Sequence, residues 1–214
     1  MVRGLKTLPP ARFFFVGPAG RLAATLERPA APPRGAVLHL HPHPLGGGTR
    51  RNNVVRHGAL GSLEAGCAAL RLDFRGAGES EGRHDGGHGE VQDAAAALEE
   101  LSGRFPGVPL FLWGYSFGAR VALELAPAWN GRLAGLLGVA FPNTVFEWPP
   151  ENAWPERAAL LCGDRDSFVD LAGMEAVREQ GVPLTIEPGA DHFFAGRLER
   201  VRVFTAARLS EWLG

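Results

Sequence analysis

The segment FLWGYSFGAR, residues 111–120, sets Ser116 between two bulky aromatic residues, with Gly114 two positions before it and Gly118 two positions after. A continuous apolar run, VPLFLW, precedes it, and a helical pattern, FGARVALELA, follows. A sharp strand-to-helix turn strains the backbone of its apex residue. It also brings the residues two before and two after the apex too close for side chains, so both must be glycine. The apex serine is then held above the carboxyl end of its strand, facing the free N–H groups and positive dipole end of the helix. A serine presented this way could attack an acyl carbon.

A hydroxyl is a weak nucleophile until a base takes its proton, and the base needs an acid to orient it. Turns of this kind place the acid and then the histidine downstream of the serine. His192, in IEPGADHFF, is the only histidine after Ser116. The strand end LLCGDRDSFVD offers Asp164, Asp166 and Asp170. Asp166 is the favoured acid, because it lies a few residues past the strand end, where a loop can turn back to the histidine. Asp164 reads as a strand-end or turn residue and Asp170 as a helix cap. Asp191 points away if its neighbour His192 points in.

A tetrahedral oxyanion needs two N–H donors. One is the backbone N–H of Phe117. The other must come from HLHPHPLGGG, where Pro42 and Pro44 have no N–H, leaving His43 or Leu45. Gly46, Gly47 and Gly48 let the backbone approach a substrate closely. His39, His41 and His43 alternate as metal ligands on a strand could, but the two prolines interrupt the strand and no carboxylate is near. They read as loop residues plus a packed His39, with no metal site. RHDGGHGE, with His84 and His88, reads as a solvated loop that caps a helix. FRGAGESEG lacks the lysine of a phosphate-binding loop, and Arg75 within it reads as an ion-pair residue. Tyr115, Phe146, Trp148, Phe168 and Phe193 are the candidate substrate contacts. Phe141 and Phe194 suit either core or wall.

Short apolar runs alternate with helical patterns of 10–16 residues, which predicts βαβ units and a mostly parallel sheet of about eight strands, covered by helices on both faces. ARFFFVG and GRLAATLERP, joined at PAG, predict an antiparallel hairpin at one edge. No repeat, low-complexity tract or long linker divides residues 1–214, so one domain is expected.

The motifs HPHPLGGG, LRLDFRGAGESEG, GYSFGA, GDRDSFV and GADHFF, in this order over nearly the whole chain, resemble the α/β-hydrolase superfamily. The chain is most similar to its short members related to dienelactone hydrolase and small carboxylesterases. The resemblance implies a triad of Ser116, Asp166 and His192, no metal or organic cofactor, and a glycine-rich loop at residues 74–82 near the site. Many relatives insert a lid between the sixth strand and the acid. Here residues 143–156 are too few for one, so an open site is expected, with Phe146, Trp148 and Trp154 as partial cover. An open site favours small or short-acyl esters, and the same triad could serve thioesters, lactones or amides. A non-catalytic binding module on this scaffold is the alternative from another class.

Composition agrees with this reading. Apolar residues make up 45% and charged residues 21% of 214, with a formal net charge of −1, so charge suggests neither a nucleic-acid nor a membrane-surface partner. The expected partner is a small-molecule ester, and monomer and homodimer are equally open. No continuous apolar stretch marks a signal peptide near residue 1, and the longest charge-free apolar segment, 133–146, falls short of the ~18 residues a membrane helix needs. Cys67 and Cys162 read as free, buried thiols in a reducing compartment. A soluble, cytoplasmic protein is expected.

Overall fold

The structure, a computed structural model, describes residues 6–148 and 154–214. The strands β1 (Ala11–Gly17) and β2 (Gly20–Glu27) form the expected hairpin, with Gly17 paired to Gly20 across Pro18 and Ala19. Next come β3 (Gly35–Leu40), α1 (Asn53–Glu64), β4 (Cys67–Leu72), α2 (His88–Arg104), β5 (Leu110–Tyr115) and α3 (Phe117–Leu125). The chain closes with β6 (Leu133–Val139), β7 (Ala158–Gly163), α4 (Leu171–Glu179), β8 (Leu184–Glu187) and α5 (Leu198–Leu213).

These strands form one eight-stranded sheet in the order β1-β2-β4-β3-β5-β6-β7-β8. The first two strands join it antiparallel, and every pairing from β4 to β8 is parallel. Every residue of β3, β4, β5 and β7 is buried, the expected consequence of helices on both faces. Alternate side chains feed two cores. Leu38, Leu40 and Leu112 pack with Ala94, Leu98 and Val121 of α2 and α3. Val37, Phe111 and Trp113 pack with Val54 of α1 and Val201 of α5. Trp113 is wholly buried, and its indole N–H donates to Thr205 Oγ1 at 3.0 Å. Gly58 leaves room for it: a Cβ there would sit 2.5 Å from the indole. Each fully buried Leu or Val contributes roughly 1.5–3 kcal/mol. No helix among the described residues is long and apolar enough to cross a membrane.

Both cysteines are buried and unpaired, and burial pushes each thiol up to about 12. Neither is therefore available as a thiolate near neutral pH.

A polar cluster fixes the loops at the carboxyl end of the sheet. Asp73, just past β4, is fully buried and receives the Arg50 guanidinium and the Arg50 backbone N–H. Arg50 also donates to Thr25 Oγ1 of β2 at 3.1 Å and pairs with Glu79. Gly78, at φ +56°, lies so close that a Cβ would fall 2.1 Å from Asp73 Oδ2. The end of the β3–α1 loop is thus bound to the glycine-rich loop after β4. Removing one partner of a buried ion pair strands the other charge. Asp73→Ala should lose about 3–5 kcal/mol of stability by urea unfolding. A loss under about 1 kcal/mol, the range of an exposed pair, would contradict this role.

Candidate active site

The turn between β5 and α3 takes the form its glycines require. Ser116 has φ 55° and ψ −120°, a conformation most residues avoid. A Cβ on Gly114 would sit 2.2 Å from the Gly118 carbonyl oxygen, and one on Gly118 would sit 2.4 Å from that of Leu40. The strain is held from both sides: Ser116 N–H donates to Val139 O at 2.9 Å, and its carbonyl accepts from Ala119 N–H at 2.9 Å.

His192 reaches this serine from the β8–α5 loop. Its Nε2 lies 3.0 Å from Ser116 Oγ, and its Nδ1 lies 2.8 Å from Asp166 Oδ2. Asp166 Oδ1 accepts from Phe168 N–H at 2.9 Å, which fixes the carboxylate. With Nδ1 donating to the carboxylate, the Nε2 lone pair faces the serine hydroxyl. The three residues are only 5–8% exposed, so charge developing here is weakly screened. Tyr115 holds the histidine from behind, its hydroxyl donating to His192 O at 2.9 Å. Burial, with the Asp166 and Asp191 charges nearby, pushes that phenol up, so it stays a donor.

The other aspartates have different work. Asp164 accepts from Gly189 N–H at 2.6 Å and braces the histidine loop. Asp170 caps α4 through Ala172 and Gly173 N–H. Asp191 accepts from Phe193 and Ala195 N–H, turned away from Ser116.

The backbone N–H groups of Phe117 and His43 make no hydrogen bond among the described residues, and both residues line the cavity above Ser116. Leu45, the other choice for the second donor, is placed differently. Its N–H donates to His43 Nδ1 at 3.3 Å, its side chain is 79% exposed, and it does not line the cavity. The cavity has a volume of about 310 Å³. Tyr115, Phe146, Phe168 and Phe193 line it, together with Gly46, Gly47 and Gly48. Phe168 and Phe193 also flank His192, with ring centroids 4.7 and 5.5 Å away.

Trp148 does not line the cavity, contrary to expectation. It stacks on buried Phe141 at 4.1 Å, with Trp154 5.8 Å away. Packing on the Phe141 and Trp154 rings removes its apolar surface from water, which draws it away from the cavity wall. Residues 149–153 of the expected partial cover lie outside the described residues. Phe141 and Phe194 are buried core residues.

The histidines carry most of what the sequence did not disclose. His39 packs against Trp113 and pairs with Ser62 Oγ at 3.0 Å. His41 donates from Nδ1 to Pro42 O at 2.6 Å and accepts Phe74 N–H on Nε2 at 3.1 Å, tying the β3–α1 loop to the loop after β4. His84 is not solvated as expected. It bonds Glu90 Oε1 at 2.7 Å and packs against His43 and Phe117. Glu90 is fully buried and also accepts Gly87 N–H, so the helix-capping half of the expectation stands. Arg75 forms a buried ion pair with Asp93 at 2.8 Å.

Residues 32–164 match the family described as serine aminopeptidase, S33. The chain belongs to the α/β-hydrolase superfamily. An uncharacterized protein of Rickettsia prowazekii is 33% identical over 200 residues, spanning 88% of this chain and 84% of that one. A lid-less α/β serine hydrolase from Xanthomonas campestris superposes with a TM-score of 0.88 at 29% identity, covering 96% of each chain. An α/β serine hydrolase homologue from Coxiella burnetii has a TM-score of 0.80 at 32% identity, covering 92% of this chain and 96% of that one. This superfamily member is a serine hydrolase by kinship.

The loop anchors give a pH signature. Burial pushes His41 from 6.5 down to about 4, and pushes His39 well down too. The unfolded chain takes up the His41 proton below about 6.5, whereas the folded chain resists it until about 4. Stability is therefore whole above 6.5 and lost as pH falls through this window, by roughly 3 kcal/mol from His41. His41→Gln should remove about that much of the acid loss, measured as unfolding free energy at pH 7 and pH 4. Identical pH dependence in variant and wild type would overturn it.

Proposed function

We propose that this serine hydrolase cleaves small carboxylic esters through an acyl-enzyme. The observation that carries the proposal is the relay Asp166–His192–Ser116, with both hydrogen bonds at 3.0 Å or less. Ser116 Oγ attacks the ester carbonyl carbon as its proton passes to His192 Nε2. Asp166 holds the imidazole and stabilises its charge. The oxyanion accepts the N–H groups of Phe117 and His43. Collapse breaks the bond to the alcohol, which leaves with the proton from Nε2. Water then gives its proton to the same nitrogen and adds to the acyl carbon; collapse breaks the bond to Ser116 Oγ, which takes that proton back from Nε2, and the acid leaves. None of these steps calls on a cofactor.

The family's description includes aminopeptidases. Such an enzyme must hold the α-ammonium of a peptide, and a buried cation needs an anionic partner. Among the described residues, no Asp or Glu lines this cavity. That favours an ester over a peptide amino terminus. The modest volume and aromatic wall favour short acyl groups.

A series of p-nitrophenyl esters tests this reading. Turnover should be higher for C2–C4 than for C12 chains, and Asp166→Asn should lower kcat by about 10³–10⁴. Faster hydrolysis of C12, or an Asp166→Asn variant within about tenfold of wild type, would overturn it.

A further inference from the structure

Asn52 stands at the end of the β3–α1 loop and lines the same cavity as Ser116. Its Oδ1 caps α1, accepting from Val54 N–H at 2.9 Å and Val55 N–H at 3.4 Å. That bond fixes the amide's orientation. Its Nδ2, with two N–H groups, makes no hydrogen bond among the described residues and is the polar end left for the cavity. Strand order adds a direction. β3 lies on one side of β5, and β6, β7 and β8 lie on the other. Asn52 therefore leaves the sheet on the opposite side of Ser116 from Phe146, Phe168 and Phe193.

The cavity has donors but no fixed charge. Among the described residues, no Lys, Arg, Asp or Glu lines it. His43 adds no cation near neutral pH, because burial, with the charges of His84 and Arg120, holds it below its usual range. Its Nδ1 is also occupied as the acceptor of Leu45 N–H. A carboxylate drawn into such a site would lose water without gaining a counter-charge. A neutral oxygen would lose little and gain a hydrogen bond.

We propose that Asn52 is a specificity-determining residue: its Nδ2 donates to a neutral acceptor oxygen, an ether, hydroxyl or carbonyl, on one half of the ester, while the aromatic wall takes the other half. This rests on the serine-esterase reading and goes beyond it by naming the substrate class. The preferred substrate is an uncharged ester with an oxygen a few bonds from the scissile carbonyl.

The test uses isosteric substrate pairs and a substitution that keeps the cap. Aspartate caps helices as well as asparagine, so Asn52→Asp retains the acceptor for α1 and replaces the free N–H groups with an acceptor oxygen. Phenyl methoxyacetate against phenyl butyrate probes the acyl half. The 2-methoxyethyl against the butyl ester of benzoic acid probes the alcohol half. Within each pair, the ratio of kcat/KM in wild type to that in the variant cancels differences in intrinsic reactivity. One hydrogen bond is worth about a tenfold change, so in one of the pairs the oxygen-bearing ester should lose about tenfold relative to its isostere in Asn52→Asp. Ratios within about twofold in both pairs would overturn the role of Asn52 while leaving the esterase reading intact. Phenyl hydrogen succinate should be cleaved at least about tenfold more slowly by wild type than its methyl ester, since an unpaired buried charge costs more than a lost neutral bond. Equal rates would overturn the preference for a neutral substrate. No hydrolysis of any of these esters by wild type would sink the esterase reading and this one together.

Discussion

The close approach of three backbone segments around Ser116 is the constraint on which the rest of the structure depends. The Gly118 carbonyl occupies the place a Gly114 side chain would need, and the Leu40 carbonyl occupies that of a Gly118 side chain. β3, β5 and the start of α3 therefore meet without side chains between them. The serine's left-handed backbone costs roughly 1–3 kcal/mol. The parallel strands β3 and β6 on either side, buried at their carboxyl ends, keep it there. In return, the serine side chain and the free N–H of Phe117 stand at one point above the sheet.

The other parts of the site are brought to that point by loops, and loops must be held. The histidine loop is braced by Asp164 on Gly189 N–H and by Tyr115 on the His192 carbonyl. The loop carrying His43 and Asn52 is held at one end by His41, bridging Pro42 O and Phe74 N–H, and at the other by Arg50 on Asp73. Most of these anchors are buried polar contacts. They contribute more to geometry than to net stability, because desolvation offsets much of their attraction. Donors fixed before a substrate arrives need no reorganisation when charge appears.

Local signals made much of this legible in sequence. Runs such as LFLWGY and AALLCG are apolar throughout because both faces of those strands are covered. Ser116 is marked by glycines two residues away, and His192 had no competitor downstream. Asp166 could be chosen among four aspartates because it lies a few residues past the strand end, where a loop can turn back, while Asp164 and Asp170 read as turn and cap residues. Contacts between distant segments were not legible. His84 reads as polar loop, yet it folds under Phe117 because Glu90 is buried within reach. Trp148 reads as a cover residue, yet it is half-buried where it stacks on Phe141. Nothing near Arg50 or Asp73 in the chain announces their pairing, and nothing in the sequence singles out Asn52 until the cavity beside it is seen.

The most direct test of the central claim, that Ser116 is an activated nucleophile, is intact mass after treatment with a fluorophosphonate. Wild type should gain one adduct, and Ser116→Ala should gain none. An unmodified wild type, or an adduct retained in Ser116→Ala, would mean that the relay through His192 does not activate this serine.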